Sequence, residues 1–210
     1  MIDLDDTLLA SARARRRGRR TLAGLGIDPR RFAAAERHWW KEFEELRCTR
    51  DEMRLGRFLD FGLNHAQAAA ADASYRAIAT SINLRRGAGR FLREARRRGL
   101  RTVILTNGSA DPQLRKIEAA GLTQLVDGIV VTEQVGLHKP RPEPFHHALA
   151  IIGGRADSAA MVGDTLYADV AGALEAGFAR VFWLTSASMA HPDPRVTPVR
   201  DLSSVLHLCK

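Results

Sequence analysis

Arg101-Thr102-Val103-Ile104-Leu105-Thr106-Asn107-Gly108 reads as an apolar strand that closes on a hydroxyl, an amide and a glycine. From Gly87 onward strands of this kind alternate with helical patterns: helix 88–98, strand 101–106, helix 111–120, strand 126–131, helix 143–152, strand 159–163, helix 166–176 and strand 179–184. That alternation predicts an α/β fold, a Rossmann-like, doubly wound parallel sheet with helices on both faces. Before Gly87 the period changes. Ser11 to Ile82 reads as helical, with helices over Arg31–Leu46, Asp51–Phe61 and Ala66–Ile82 and no convincing strand. The expected organisation is a core of residues 1–12 and 84–210, interrupted after its first strand by a helical segment, residues 13–83.

Asp3-Leu4-Asp5-Asp6-Thr7 follows the apolar Ile2. In an extended segment side chains alternate faces, so Asp3 and Asp5 are expected to project together while Leu4 points into a core. Two carboxylates so close suit a metal ion, a nucleophile with its proton carrier, or both. An acidic turn or helix cap is the competing reading. Thr106, Asn107 and Gly108 offer a hydroxyl and backbone N–H groups at a strand's carboxyl end, where open parallel sheets bind ligands; a plain turn is the alternative. Lys139 sits in a proline-rich loop, His138-Lys139-Pro140-Arg141-Pro142-Glu143-Pro144, whose stiffness suits a cation aimed at an anion, against the usual surface lysine. Ala160 to Asp169 is a buried-type strand followed by Gly163-Asp164, with Asp169 five residues on. Such hard oxygen ligands suit Mg²⁺, and a helix N-cap role for Asp164 is compatible with that.

Each segment alone is weak, but the four together in this order are specific. The set resembles the haloacid dehalogenase superfamily across nearly the whole chain. The resemblance implies that Asp3 is a nucleophile forming an aspartyl-phosphate and that Asp5 protonates the leaving alcohol and then activates water. It implies that Thr106 and Lys139, with the Asn107-Gly108 turn, bind the phosphoryl group. It further implies that Asp3, Asp164 and the backbone carbonyl of Asp5 hold Mg²⁺, with Asp169 ordering the outer shell. The helical segment would be a cap that closes over the catalytic face and selects substrates. Charge balance agrees: a phosphate dianion repels a bare carboxylate, so Mg²⁺ and Lys139 must neutralise charge before Asp3 approaches. Dehalogenating members lack an acid at the position of Asp5, which favours phosphate chemistry here. Trp39, Arg57-Phe58, Gln113, Gly121-Leu122 and Thr132–Gly136 look like nucleotidase-like and acylneuraminate-9-phosphatase-like members.

Composition frames this reading. The 210 residues carry 32 basic and 24 acidic side chains, net +8, with a cluster at Arg13, Arg15, Arg16, Arg17, Arg19 and Arg20. No nucleic-acid signature accompanies the cluster, so a solvated arginine-rich helix face is expected rather than a nucleic-acid partner. With no long apolar run and no secretory pattern, a soluble cytoplasmic protein acting on a small phosphorylated metabolite is expected, and no membrane partner. Cys48 and Cys209 lack metal-type spacing and read as bystanders. In the helical segment core packing is expected for Trp39 and Trp40, while Arg54, Arg57, Asn64 and His65 are candidates to meet the leaving group, or plain surface. Only Met1 and Ile2 precede Asp3, so the central strand is expected to leave neighbouring ladder groups unpaired, and the natural chain is expected to start upstream. A phosphoryl-transferring mutase and a binding protein impaired by the short first strand are the alternatives to a phosphatase acting on a nucleoside monophosphate or sugar phosphate. Oligomeric state is not legible.

Overall fold

Side-chain alternation along five short parallel strands sorts the apolar residues of the core into two layers. The computed structural model describes residues 1–80, 82–186 and 190–208. The strands are β1 (Val103–Thr106), β2 (Gly128–Val131), β3 (Ala160–Gly163), β4 (Arg180–Leu184) and β5 (Val196–Val199). The helices are α1 (Ser11–Thr21), α2 (Pro29–Glu44), α3 (Arg50–Leu59), α4 (His65–Ala79), α5 (Ala88–Arg97), α6 (Ala110–Ala119), α7 (Thr132–Val135), α8 (Pro142–Ile151), α9 (Gly172–Glu175) and α10 (Leu202–Leu208). Val103, Leu105, Met161, Val181 and Trp183 share one buried cluster with Phe145 and Leu149 of α8 and Ala173 of α9. Ile104, Val162, Phe182 and Leu184 share the other with Phe91 and Leu92 of α5, Ile117 of α6 and Val205 of α10. The two-residue period of a strand thus places helices on both faces of the sheet.

Met1 to Asp3 joins the two halves of that sheet. On one side Ile2 N–H donates to Val103 O (2.9 Å) and Leu105 N–H to Ile2 O (3.0 Å); on the other Asp3 N–H donates to Val162 O (2.9 Å) and Val162 N–H to Met1 O (3.0 Å). The order is therefore β2, β1, Met1–Asp3, β3, β4, β5, all parallel. The expected unpaired ladder groups do not occur at these positions. The flanking strands β1 and β3 are themselves four residues long, so three residues suffice to pair with them. From this segment the order runs outward to β1 and β2 on one side and to β3, β4 and β5 on the other. Asp3 thus leaves the sheet at a topological switch point, where open α/β sheets bind ligands.

Several elements depart from the sequence reading. The helix expected over 166–176 begins as a π turn, Leu166–Ala171, before α9. Strand β5 and helix α10 lie beyond strand 179–184, the last element of the sequence reading; β5 carries Pro198 at the sheet edge, where a missing donor is tolerated. No helix among the described residues is long and apolar enough to cross a membrane. Cys209 lies outside the described residues.

The chain divides into two compact units, Met1–Ala10 with Ile82–Lys210, and Ser11–Ser81. The second unit contains α1 to α4. Asp28 caps α2, accepting from Arg30 N–H (3.0 Å) and Arg31 N–H (2.8 Å), and reciprocal capping boxes start α3 at Thr49/Glu52 and α4 at Asn64/Gln67. Its core is Leu22, Ile27, Phe32, Phe58, Ala68, Ala71 and Tyr75. Trp39 and Trp40 are half-buried rather than part of that core: their indole N–H groups donate to Asp60 (2.7 Å) and Glu44 (2.9 Å), polar partners that hold each ring at the rim. Arg57 is buried, donating to Asp72 (2.6 Å) and Glu36 (3.3 Å), so it holds this unit together, and Asn64 is spent as a cap. On α1, Arg13, Arg16, Arg17 and Arg20 are exposed while Arg19 pairs with Glu36 (2.8 Å).

Ile2 is 2 % exposed and joins both halves of the sheet, whereas Ile82 is 50 % exposed. Ile2→Ala is expected to lower unfolding free energy by about 2–5 kcal/mol, and Ile82→Ala by no more than about 0.5 kcal/mol. Urea midpoints of the two variants check this, and equal shifts would contradict it.

Candidate active site

The site grows from the carboxyl ends of β1, Met1–Asp3 and β3. Leu4, Leu8 and Leu9 are fully buried and pull the chain back into the core directly after Asp3, with Leu8 N–H and Leu9 N–H both donating to Leu4 O (3.0 and 2.8 Å). Within this turn Asp6 adopts φ 64°, a left-handed conformation that Asp tolerates better than most residues. Asp3 is left at the carboxyl end of the central segment, 7 % exposed.

Lys139 lies at the centre. Its ammonium donates to Asp3 Oδ1 (2.8 Å), Asp169 Oδ1 (2.6 Å) and Leu105 O (3.0 Å), and the residue is 2 % exposed. Three donors meet three acceptors, which is what a buried ammonium requires. Its backbone is held as well: Lys139 N–H donates to Asn107 Oδ1 (2.9 Å) and Asn107 Nδ2 donates to Lys139 O (3.0 Å). Asn107, expected to face substrate, thus spends its side-chain amide on fixing the lysine loop. Burial works against the Lys139 cation, but Asp169 and Asp3 outweigh it and hold the ammonium above its ordinary range. Burial drives the Asp3 carboxyl upward; Lys139 opposes this, while Asp169 and Asp164 add to it.

Asp169 reaches this position from the π turn. Val170 N–H closes the wide turn on Thr165 O (3.1 Å), and Asp169 Oδ2 accepts from Thr165 N–H (3.0 Å). Gly163 makes the approach possible, since a Cβ there would lie 2.4 Å from the Asp169 carboxylate. Asp164 accepts from the Thr7 hydroxyl (3.3 Å) and its carbonyl from the Trp183 indole (3.0 Å). Among the described residues Asp3, Asp164 and Asp169 form a group of carboxylate oxygens lying within 4.8 Å of one another. These three carboxylates outnumber the ammonium bridging two of them. Hard oxygens with excess negative charge are the donor set a divalent cation takes.

Asp5 does not join that group. Both its oxygens accept from Lys116 Nζ (3.0 and 2.9 Å), and Oδ2 also accepts from Gln113 Nε2 (3.0 Å). The expected crowding of Asp3 against Asp5 is thus replaced by separate cations, because the turn after Asp3 directs Asp5 toward α6. Gln113 Nε2 also donates to the Thr106 hydroxyl (2.7 Å) and Asn107 O (3.1 Å). Gly108 closes the turn at φ 130°, against the Gln113 side chain. Sequence reading passed over Lys116; the available signal was its place three residues after Gln113, on one face of the helix that leaves the Thr106-Asn107-Gly108 turn.

The description of a haloacid dehalogenase-like hydrolase fits residues 1–177 as a family model. The chain belongs to that family. It is 42 % identical over 118 residues to a phosphoserine phosphatase of Thermus thermophilus, covering 55 % of this chain and 47 % of the relative, so the match spans about half that relative's length. It is 28 % identical to the N-acylneuraminate-9-phosphatase of Rattus norvegicus over 98 % of this chain and 90 % of the relative. In structure it is similar to the magnesium-bound HAD-hydrolase YfnB of Bacillus subtilis, with TM-score 0.82, 26 % identity and coverage of 99 % of this chain and 96 % of that one.

Removing the central cation leaves Asp3 and Asp169 buried without it. Lys139→Met is expected to destabilise the fold by about 3–5 kcal/mol in chelator, the cost of breaking a buried pair. Chemical denaturation in EDTA measures this, and an unchanged midpoint would show that the ammonium does not organise the site.

Proposed function

We propose that this hydrolase is a Mg²⁺-dependent phosphomonoesterase acting on a small phosphorylated metabolite, a nucleoside monophosphate or sugar phosphate. The observation that carries the reading is the buried Lys139 ammonium bridging Asp3 and Asp169 beside Asp164 at the switch point of the sheet. Such a site offers a nucleophile, a fixed cation and hard oxygen ligands within one small space. The relatives named as phosphatases support the same reading.

In the first half-reaction the Asp3 carboxylate attacks phosphorus in line, and the bond from phosphorus to the ester oxygen breaks. Asp5 enters this step as the carboxylic acid, gives its proton to the departing oxygen and is left as the carboxylate. In the second half, Asp5 takes a proton from water, which attacks phosphorus; the bond to Asp3 breaks, and inorganic phosphate leaves with Asp3 restored. The Thr106 hydroxyl holds a phosphoryl oxygen, Lys139 restrains Asp3 and supplies positive charge beside the phosphoryl group while its three donors stay on Asp3, Asp169 and Leu105 O, and the Asn107-Gly108 turn shapes the pocket around it. Asp3, Asp164 and the Asp5 carbonyl would hold Mg²⁺, with Asp169 in support; the ion would neutralise phosphoryl charge so that one anion can approach another. The chain's net +8 charge adds a general attraction for anionic substrates.

A panel of phosphomonoesters assayed for phosphate release with and without EDTA tests the reading. Mg²⁺-dependent release blocked by vanadate is expected, and activity that persists in EDTA would contradict it. Asp3→Asn keeps shape without the anion and is expected to fall to background; more than about a tenth of wild-type rate would exclude Asp3 as nucleophile. Asp164→Ala is expected to raise the Mg²⁺ concentration for half-maximal activity at least about tenfold. An unchanged Mg²⁺ titration would remove Asp164 from the ligand set.

A further inference from the structure

We propose that Lys116 and Gln113 on α6 act as positioning residues that hold the Asp5 carboxylate in place for its proton transfers. This assignment rests on the phosphomonoesterase reading and adds two residues outside the four sequence motifs.

Asp5 lies on a short turn rather than in a strand, and its side chain is 27 % exposed. Left alone, such a carboxylate would exchange between rotamers. Lys116 prevents this by reaching both oxygens, at 3.0 and 2.9 Å, from a side chain only 14 % exposed. Gln113, 4 % exposed, fixes the same group to the phosphate-binding end of β1, since its Nε2 meets Asp5 Oδ2 (3.0 Å), the Thr106 hydroxyl (2.7 Å) and Asn107 O (3.1 Å). One helix face thereby sets the position of the proton carrier relative to the hydroxyl that meets the phosphoryl group. Proton transfer demands that kind of registration, because a displacement of about 1 Å can cost about a hundredfold in rate.

The test compares wild type, Lys116→Met, Lys116→Arg, Asp5→Asn and the double variant Lys116→Met/Asp5→Asn. Each is assayed in Mg²⁺ for kcat/KM on p-nitrophenyl phosphate, whose leaving group departs with little proton assistance, and on an alkyl phosphate, which needs it. Lys116→Met is expected to lose at least about tenfold more on the alkyl ester than on the aryl ester. Lys116→Arg should recover most of that loss, and Lys116→Met should cost nothing further once Asp5 is Asn. Equal losses on the two esters, or a full additional loss in the double variant, would overturn the proposal by showing a merely structural contact. If Lys116→Met shows no folded baseline in urea, Lys116→Gln takes its place, and a wild-type ester ratio in that variant overturns the proposal equally. Wild-type turnover of both esters with no discrimination among variants sinks the positioning role alone, whereas a wild type inactive on both sinks the phosphomonoesterase reading and this inference with it.

Discussion

The structure is organised around one buried ammonium. Lys139 cannot stay charged in the core without partners, and a buried cation stripped of its anions costs more than most folds can spare. Its partners come from three separate parts of the sheet: Asp3 from the central segment, Leu105 O from β1 and Asp169 from the π turn that follows β3. Local details that look unrelated all serve this meeting. Asn107 grips the lysine backbone from both sides, Gly163 leaves room for the Asp169 carboxylate, and the wide turn at Thr165 brings Asp169 back toward the sheet.

The same arrangement separates two carboxylates that stand two residues apart. Asp3 is buried against Lys139, while Asp5 is partly exposed against Lys116. Their environments differ in burial, partner and neighbouring charge. The turn from Leu4 to Leu9, anchored by three buried leucines, makes that separation possible.

Much of this was legible in the sequence because it depends on residue type at fixed offsets. The Asp3/Asp5/Thr7 run, the Thr106 turn, Lys139 and the Asp164/Asp169 pair are short-range patterns, and the alternation of strands and helices after Gly87 follows from hydrophobic period. What was not legible depends on tertiary placement. β5 carries Pro198, which only an edge position makes acceptable in a strand. Lys116 is 111 residues from Asp5 in sequence, and no local pattern links them. Arg57 read as a candidate for substrate and proved to be the buried partner of Asp72 and Glu36, a role set by helices 21 and 15 residues away. Asn107 read as a ligand-facing group and became a brace for Lys139, because its amide matches the exposed N–H and C=O of that loop.

The central claim is that the carboxylate held by Lys139 carries the phosphoryl group. Rapid quenching during turnover of a phosphomonoester, followed by borohydride reduction and peptide mass spectrometry, tests it directly, since an acyl phosphate is reduced to the alcohol and converts aspartate to homoserine. The account predicts homoserine at position 3 and unmodified aspartate at positions 5, 164 and 169. Phosphate release with Asp3 intact at every quench time, or reduction at Asp5 instead, would contradict it.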